Sequence, residues 1–299
     1  MLSQIRTNIQ SWWQQTPLPT NTAPPSFQKW HIFDQDQWIS FVSDGNSQPD
    51  IKHQLAGSFR LVTWNVNADA LSPKSRISAL LEVIKTTGAV NVIFLQEVSK
   101  DALTALLEEP WIQKIAPSGE PPLPSRFGRD ALCCDLILNS SSKHIPDKSP
   151  LQIRLINVHL DSLPINPSLR PHQLSICTSY LSTAGRGIIG GDFNPVLPED
   201  DGLVYANYLI DAWECIHPND AGHTWGVYGE HVFPPNRFDK VTLFNLTPSA
   251  MGILRTSEVE SHGEKMSAGG TKLAEKVQFS DHFGVWCEVR WEENRAQSE

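Results

Sequence analysis

Asp192 and Asn194 stand two residues apart behind Gly190-Gly191, and Asp281-His282 sets a carboxylate beside an imidazole. A carboxylate at such a turn can orient or deprotonate an attacking water while a nearby amide holds it. The paired glycines permit a tight turn and close backbone approach. An imidazole that works near neutral pH needs a carboxylate to fix its tautomer and stabilise its charged form. Asp239, inside Asn236-Arg237-Phe238-Asp239-Lys240, is the candidate for that orienting role, the alternative being an ion pair with Arg237. His159, with Ser162 shortly after it, offers hydrogen-bond donors for non-bridging phosphate oxygens. Asn65 can donate to phosphate or accept from water without adding charge. Glu97 can offer a carboxylate to a hard cation, which needs one or two of them plus water and phosphate oxygens.

The elements that position these groups follow from hydrophobic patterning. Residues 59–66 read as a strand that carries Asn65 after Val62-Thr63-Trp64, and Val92-Ile93-Phe94-Leu95 as a buried strand ending before Glu97. Ile77, Leu80, Leu81 and Ile84 recur at helical spacing, with Gly88 as the expected stop. Ser99 can cap a helix carrying Leu103, Leu106 and Leu107. Residues 131–138 and 151–160 read as strands, the second alternating Leu151, Ile153 and Leu155 before Val158 and Leu160 take the other phase. Leu174, Cys177 and Leu181 mark a helix, residues 187–190 a short buried strand, and residues 237–244 and 283–291 further strands. Interleaved strands and helices, without a glycine-rich dinucleotide turn, point to packed sheets covered by helices.

The chain has 299 residues, a formal charge of −9 and 40% hydrophobic content. That content supports a real core and excludes wholesale disorder. The acidic balance argues against a protein that coats nucleic acid by charge alone. It is compatible with a phosphate substrate, because bound divalent cations invert the local sign. Cys133, Cys134, Cys177, Cys215 and Cys287 show no Cys-x-x-Cys spacing and are expected to be reduced core residues. No apolar run suggests a membrane span, and the first fifteen residues lack a signal-peptide core. Residues 1–57 form a Pro- and Trp-rich arm, expected to pack in part on the domain edge through Trp30 to Phe41 and to offer a surface for a protein partner. Residues 58–292 are expected to form one catalytic domain, with 249–278 as a polar, flexible loop insertion.

Taken in order, Thr63-Trp64-Asn65, Leu95-Gln96-Glu97, Val158-His159-Leu160-Asp161-Ser162, Gly191-Asp192-Phe193-Asn194, Arg237-Phe238-Asp239-Lys240 and Ser280-Asp281-His282 resemble the endonuclease/exonuclease/phosphatase superfamily. Together with Thr224-Trp225 and Asp211-Ala212-Trp213-Glu214, they are most similar to its 5′-tyrosyl-DNA phosphodiesterase branch. The resemblance implies an α+β, four-layer sandwich, with two central, mostly antiparallel sheets flanked by helices. It implies a Mg²⁺- or Mn²⁺-dependent phosphodiesterase acting on a phosphoester at a nucleic-acid end, as a nuclease of DNA repair. The expected setting is intracellular, nuclear or cytoplasmic, and the expected state monomeric.

The resemblance also distributes roles. Glu97, Asp281 and Asn67 would bind metal, Asn67 standing where the family usually has an acid. Asn65, His159, Ser162 and Trp225 would contact the phosphate, and Asp192 and Asn194 would manage the water. His282, oriented by Asp239, would stabilise the transition state or transfer a proton, either Asp192 or His282 being the base. Pro195-Val196-Leu197 lacks the arginine that DNA-processing relatives carry there. A lipid, inositol phosphate or RNA substrate is therefore the alternative, and a catalytically weak binding protein the third reading.

Overall fold

The computed structural model describes residues 30–41, 57–68, 72–112, 123–138, 151–229, 231–261 and 275–291. A hairpin of β1 (Trp30–Asp34) and β2 (Gln37–Phe41) precedes β3 (Ser58–Asn65), α1 (Pro73–Lys85), β4 (Val92–Gln96) and α2 (Lys100–Glu108). Then come β5 (Ala131–Leu138), β6 (Leu151–His159), α3 (Arg170–Ala184), β7 (Gly187–Asp192), α4 (Leu203–Ala206), β8 (Ile210–Asp211) and α5 (Ala212–Ile216). The chain continues through β9 (Asp239–Phe244), β10 (Thr247–Leu254), β11 (Glu258–Ser261), β12 (Glu275–Gln278) and β13 (Gly284–Arg290).

Two sheets carry the fold, a four-stranded one in the order β10-β13-β3-β4 and a five-stranded one in the order β5-β6-β7-β9-β8. Each contains one parallel pair, β3 with β4 and β6 with β7, and is otherwise antiparallel. Side chains alternate across a strand, so each strand can feed two cores at once. Phe59, Leu61, Phe94, Val285, Cys287 and Val289 from one sheet meet Ile153, Leu155, Ile188, Val241 and Leu243 from the other in a shared core. The opposite phase of β3, with Val62 and Trp64, packs under Ile77, Leu80, Leu81 and Ile84 of α1. Ile156, Val158 and Ile189 pack under Leu174, Cys177 and Leu181 of α3. The change of phase along 151–160 is therefore that of a strand buried on both faces. The four expected layers are present.

Local chemistry sets the helix ends. The Ser99 hydroxyl accepts the Ala102 N–H at the start of α2. Pro73 begins α1, where its missing N–H costs nothing. That helix ends at Lys85, ahead of Gly88, because Thr86 and Thr87 close its last turn onto Val83 and Ile84.

Two expectations need correcting. The stretch read as a loop, 249–278, begins inside β10, which pairs with β13 from Thr247 to Leu254, and carries β11 and β12, which pair antiparallel on either side of 262–274, outside the described residues. Its polar residues conceal strand because β10 lies at a sheet edge, where one phase stays partly open. Cys215 is exposed, since α5 buries Ala212 and Trp213 on its other side. All five cysteines are free thiols. In the arm, Trp38 donates its indole N–H to the Leu107 carbonyl at the end of α2. Trp12 and Trp13 lie outside the described residues. No helix among the described residues is long and apolar enough to cross a membrane.

Gly191 is among the glycines whose place leaves no room for a side chain. Its φ is 144°, and an added Cβ would lie 1.9 Å from the Val158 carbonyl oxygen. Gly191→Ala should lower the free energy of unfolding by at least about 2 kcal/mol, by backbone strain and displacement of β6; urea denaturation measures it, and a stability equal to wild type would contradict this packing.

Candidate active site

The inner faces of both sheets turn polar at the same end. In β6, the apolar phase of Ile153 and Leu155 continues through Asn157 to His159, and in β7 that of Ile188 through Gly190 to Asp192. His159 pairs with Asp192, and Asp192 with Asp239 at the start of β9, so three functional groups form one register row. Across the sandwich, β3 ends with Thr63 and Asn65 on its inner phase, and Asn65 pairs with Gln96. Glu97 follows immediately, and Ser280, Asp281 and His282 lead into β13.

Hydrogen bonds join these ends into one mouth. Asn65 Nδ2 donates to Glu97 Oε1 at 3.2 Å and to Asp192 Oδ2 at 3.1 Å. The Ala68 N–H reaches Glu97 Oε2 at 3.1 Å. Asn67 donates its main-chain N–H to Asn65 Oδ1 and its amide to Asp281 Oδ1. Asp239 Oδ2 lies 2.8 Å from His282 Nδ1, while His282 Nε2 faces Asp192 Oδ2 at 3.9 Å. That gap is too long for a direct hydrogen bond and suits an intervening group. His159 Nε2 lies 3.5 Å from Asp192 and 3.7 Å from Glu97. Arg237 pairs with Asp211 and Glu214, which leaves Asp239 to the imidazole.

Burial depresses both imidazoles, and their carboxylate neighbours set them apart. His159 is pulled down to about 4, first by desolvation, with Asp192 opposing and Arg129 and His282 adding to the fall. Burial also depresses His282, but Asp239, through its charge and hydrogen bond, and then Asp192 and Asp281, outweigh it and lift the value to about 10. Near neutral pH, His159 is neutral and His282 is a cation. Burial raises the Asp192 carboxyl, against the pull of His282, His159 and the Asn65 amide.

Loops anchored beneath the mouth supply the remaining groups. Asp161 is buried, bonded by Gln173, Ser125 and the Arg126 N–H, and so fixes Ser162 beside it. Arg170 binds Asp200, whose carboxylate receives the Val196 and Leu197 N–H groups and pins the chain after Asn194. The Asn194 N–H donates to Asp192 Oδ1 and its side-chain amide to Leu160 O. Trp225 stacks on His231 at 4.1 Å and Phe238 at 5.0 Å, and bridges to His282 through its main chain. The Phe238 ring in turn lies 6.1 Å from the His282 imidazole, so the Trp225 ring reaches it through Phe238.

Arg129 is the group that sequence reasoning missed. Its Nη2 donates to Ser162 Oγ at 3.0 Å, leaving that hydroxyl's proton to be offered outward. Burial lowers its guanidinium, which Glu97, Asp192, Asp161 and Asp130 hold up. One signal pointed to it: β5 runs antiparallel to β6, so the residues before Ala131 lie beside those after Val158.

Glu97, Asn67 and Asn194 all have positive φ, at 56°, 55° and 47°. Such values cost energy outside glycine and cluster at functional sites. Among the described residues no three His, Cys, Asp or Glu side chains form a closed metal cage. A hard cation that keeps waters and takes phosphate oxygens needs only one or two protein carboxylates. Glu97, with 31% of its side chain exposed, bonds the Ala68 N–H and Asp281 the Asn67 amide, so two carboxylates of the kind such a cation takes border the 67–68 turn.

No family model matches the chain, and no curated protein matches it. Solved structures do. D. rerio TDP2 complexed with single strand DNA product superposes with a TM-score of 0.57 at 19% identity, covering 78% of this chain and 99% of that one. Truncated Caenorhabditis elegans TDP2 gives 0.52 at 17% identity, over 78% and 98%. An endonuclease/exonuclease/phosphatase family protein from Bacteroides thetaiotaomicron gives 0.57 at 15%, over 79% and 98%. The four-layer sandwich described above is the fold of these endonuclease/exonuclease/phosphatase structures, shared by this chain at low sequence identity.

Proposed function

We propose that the chain is a metal-dependent phosphodiesterase acting at a nucleic-acid end. The carrying observation is the run Asp239–His282–Asp192, with Asn65 joining Asp192 to Glu97, in one mouth between two sheets. A carboxylate with its value raised by burial and a charged imidazole across a 3.9 Å gap form a base and donor pair. The single-strand DNA product in the D. rerio TDP2 structure supports a nucleic-acid end as substrate.

Asp192 accepts the proton of the attacking water, held in line by Asn194 N–H and Asn65 Nδ2 on its two oxygens. The water oxygen attacks phosphorus and the ester oxygen leaves with its electron pair. His282, proton-bound at Nδ1 by Asp239, turns Nε2–H toward the charge that builds on the phosphoryl oxygens. Neutral His159 and Ser162, the latter backed by Arg129, donate to the non-bridging oxygens. Glu97, with Asp281 and Asn67, would hold the Mg²⁺ or Mn²⁺, whose charge would help neutralise the phosphate.

Asp192→Asn and His282→Ala should each reduce hydrolysis roughly 100- to 10,000-fold, as expected for loss of a general base or proton donor, while both variants melt cooperatively. The assay panel is a 5′-tyrosyl oligonucleotide, single-stranded RNA and lipid phosphoesters; fastest turnover on lipid would replace the nucleic-acid substrate. The sign of the pH dependence follows from the two groups. The base works only above the raised value of Asp192, and the donor only below about 10, where His282 keeps its proton. Asp239→Asn should move the alkaline limb of the rate profile down by about 1–3 units, and an unmoved limb would remove Asp239 from the orienting role. Calorimetric titration with Mn²⁺ should show binding that Glu97→Gln weakens at least tenfold. Absence of both Mn²⁺ binding and hydrolysis by the folded wild type would favour a binding protein that keeps the fold.

A further inference from the structure

Thr224 is fully buried, bonded to the residue that follows His282 but outside the roles assigned above. Its hydroxyl oxygen accepts two main-chain N–H groups, from Phe238 and Asp239, each at 3.1 Å. Its carbonyl accepts the Phe283 N–H at 2.7 Å, and its own N–H donates to Asn236 O at 2.9 Å. Trp225, next in the chain, bridges to both Asn236 and His282. One residue therefore grips the start of β9, in the five-stranded sheet, and the start of β13, in the four-stranded sheet.

The topology explains why a side chain is needed there. β7 covers one side of β9, but β8 pairs with β9 only at Leu243 and Thr242. Among the described residues no strand covers the other side of β9 at Phe238 and Asp239, whose N–H groups are buried and need acceptors. A hydroxyl can accept two such groups at once; a methyl accepts none.

We propose that Thr224 is a positioning residue for the His282–Asp239 pair, its hydroxyl holding Asp239 and its carbonyl holding the His282–Phe283 segment at their 2.8 Å contact. The inference rests on the phosphodiesterase reading for its catalytic consequence, but the clamp itself can be read without turnover. Asp239 is otherwise held through its pairing with Asp192, which fixes its height in the sheet. Trp64 Nε1 on His282 O and Ser280 Oγ on the His282 N–H fix the imidazole's own main chain. Thr224, with the main chain of Trp225 beside it, ties the two halves to each other.

The test compares Thr224→Val, which keeps the shape and removes the acceptor, with Thr224→Ser, which keeps the acceptor and removes a methyl. Proton NMR of the full chain reads the low-field Nδ1–H resonance of His282, assigned by its loss in Asp239→Asn. Wild type and Thr224→Ser should show the resonance at the same position, and Thr224→Val should lose or shift it. On the best substrate, Thr224→Val should lower kcat at least tenfold with KM within about twofold of wild type, and Thr224→Ser should stay within twofold in both, because small misplacements at a reacting centre fall mainly on kcat. An unshifted resonance in a folded Thr224→Val overturns the proposal, as does equal loss of kcat in the two variants. Should the valine variant fail to fold, the serine variant decides alone, and loss of the resonance there overturns the clamp. A wild type with the resonance but no hydrolysis of any phosphoester would sink the phosphodiesterase reading and leave the clamp standing.

Discussion

Everything in this molecule depends on the two-residue period of the strand. A strand buried on one phase cannot slip by a single residue without turning its apolar set outward. Here β3, β6 and β7 are buried on both phases, one against the opposite sheet and one under a helix. The phase that faces the opposite sheet runs apolar through the middle of the sandwich and polar at one end. Phe59 and Leu61 lead to Thr63 and Asn65, Ile153 and Leu155 to Asn157 and His159, and Ile188 to Gly190 and Asp192. Packing of the core therefore fixes which way the functional side chains point, and to within a residue how far along the strand they sit.

The same geometry creates an electrostatic difficulty. Asp192 and Asp239 are both nearly inaccessible, in adjacent register positions, and like charges in a poorly solvated site repel strongly. The structure relieves this by giving each a different partner. Asp239 takes the imidazolium of His282, and Asp192 takes the neutral amide of Asn65 and the Asn194 N–H. Neutral donors stabilise the carboxylate of Asp192 less than a direct ion pair would, so burial keeps its value raised. That incomplete compensation suits a group meant to take up a proton. The two histidines separate for the same reason. His282 faces a carboxylate at 2.8 Å, whereas those nearest His159 stand at 3.5 and 3.7 Å, too far to offset burial.

Strands with continuous apolar runs were legible in the sequence, and so were the polar residues that end them. Asn65, Glu97, His159, Asp192, Asn194, Asp281 and His282 were named from their place after or before such runs, and Asp239 from its motif beside Arg237; the structure brings them to one mouth. Three things escaped. β10 is a polar edge strand whose pairing comes from β13, more than thirty residues later, so no local pattern announces it. Arg129 is ordinary in its own neighbourhood and acquires meaning only from its proximity to Ser162 across β5 and β6. The positive φ of Glu97 and Asn194 is a property of the folded chain, since neither residue type demands it.

The site is shared between two sheets, so its dimensions depend on how rigidly they are held together. Apolar packing is weakly directional and would tolerate small slides of one sheet over the other. Directionality comes from a polar tie one layer beneath the mouth. Gln96 Nε2 donates across the sandwich to Asn157 Oδ1 at 2.6 Å and within its own sheet to Thr63 Oγ1 at 3.0 Å, while Asn157 Nδ2 returns a bond to Leu95 O at 3.1 Å. Buried hydrogen bonds of this kind add little net stability but penalise every arrangement in which they are broken. Gln96 immediately precedes Glu97, and Asn157 lies two residues before His159 on the same face. The tie therefore sets the separation of the carboxylate from the imidazole, and with it the room available for a phosphate between them.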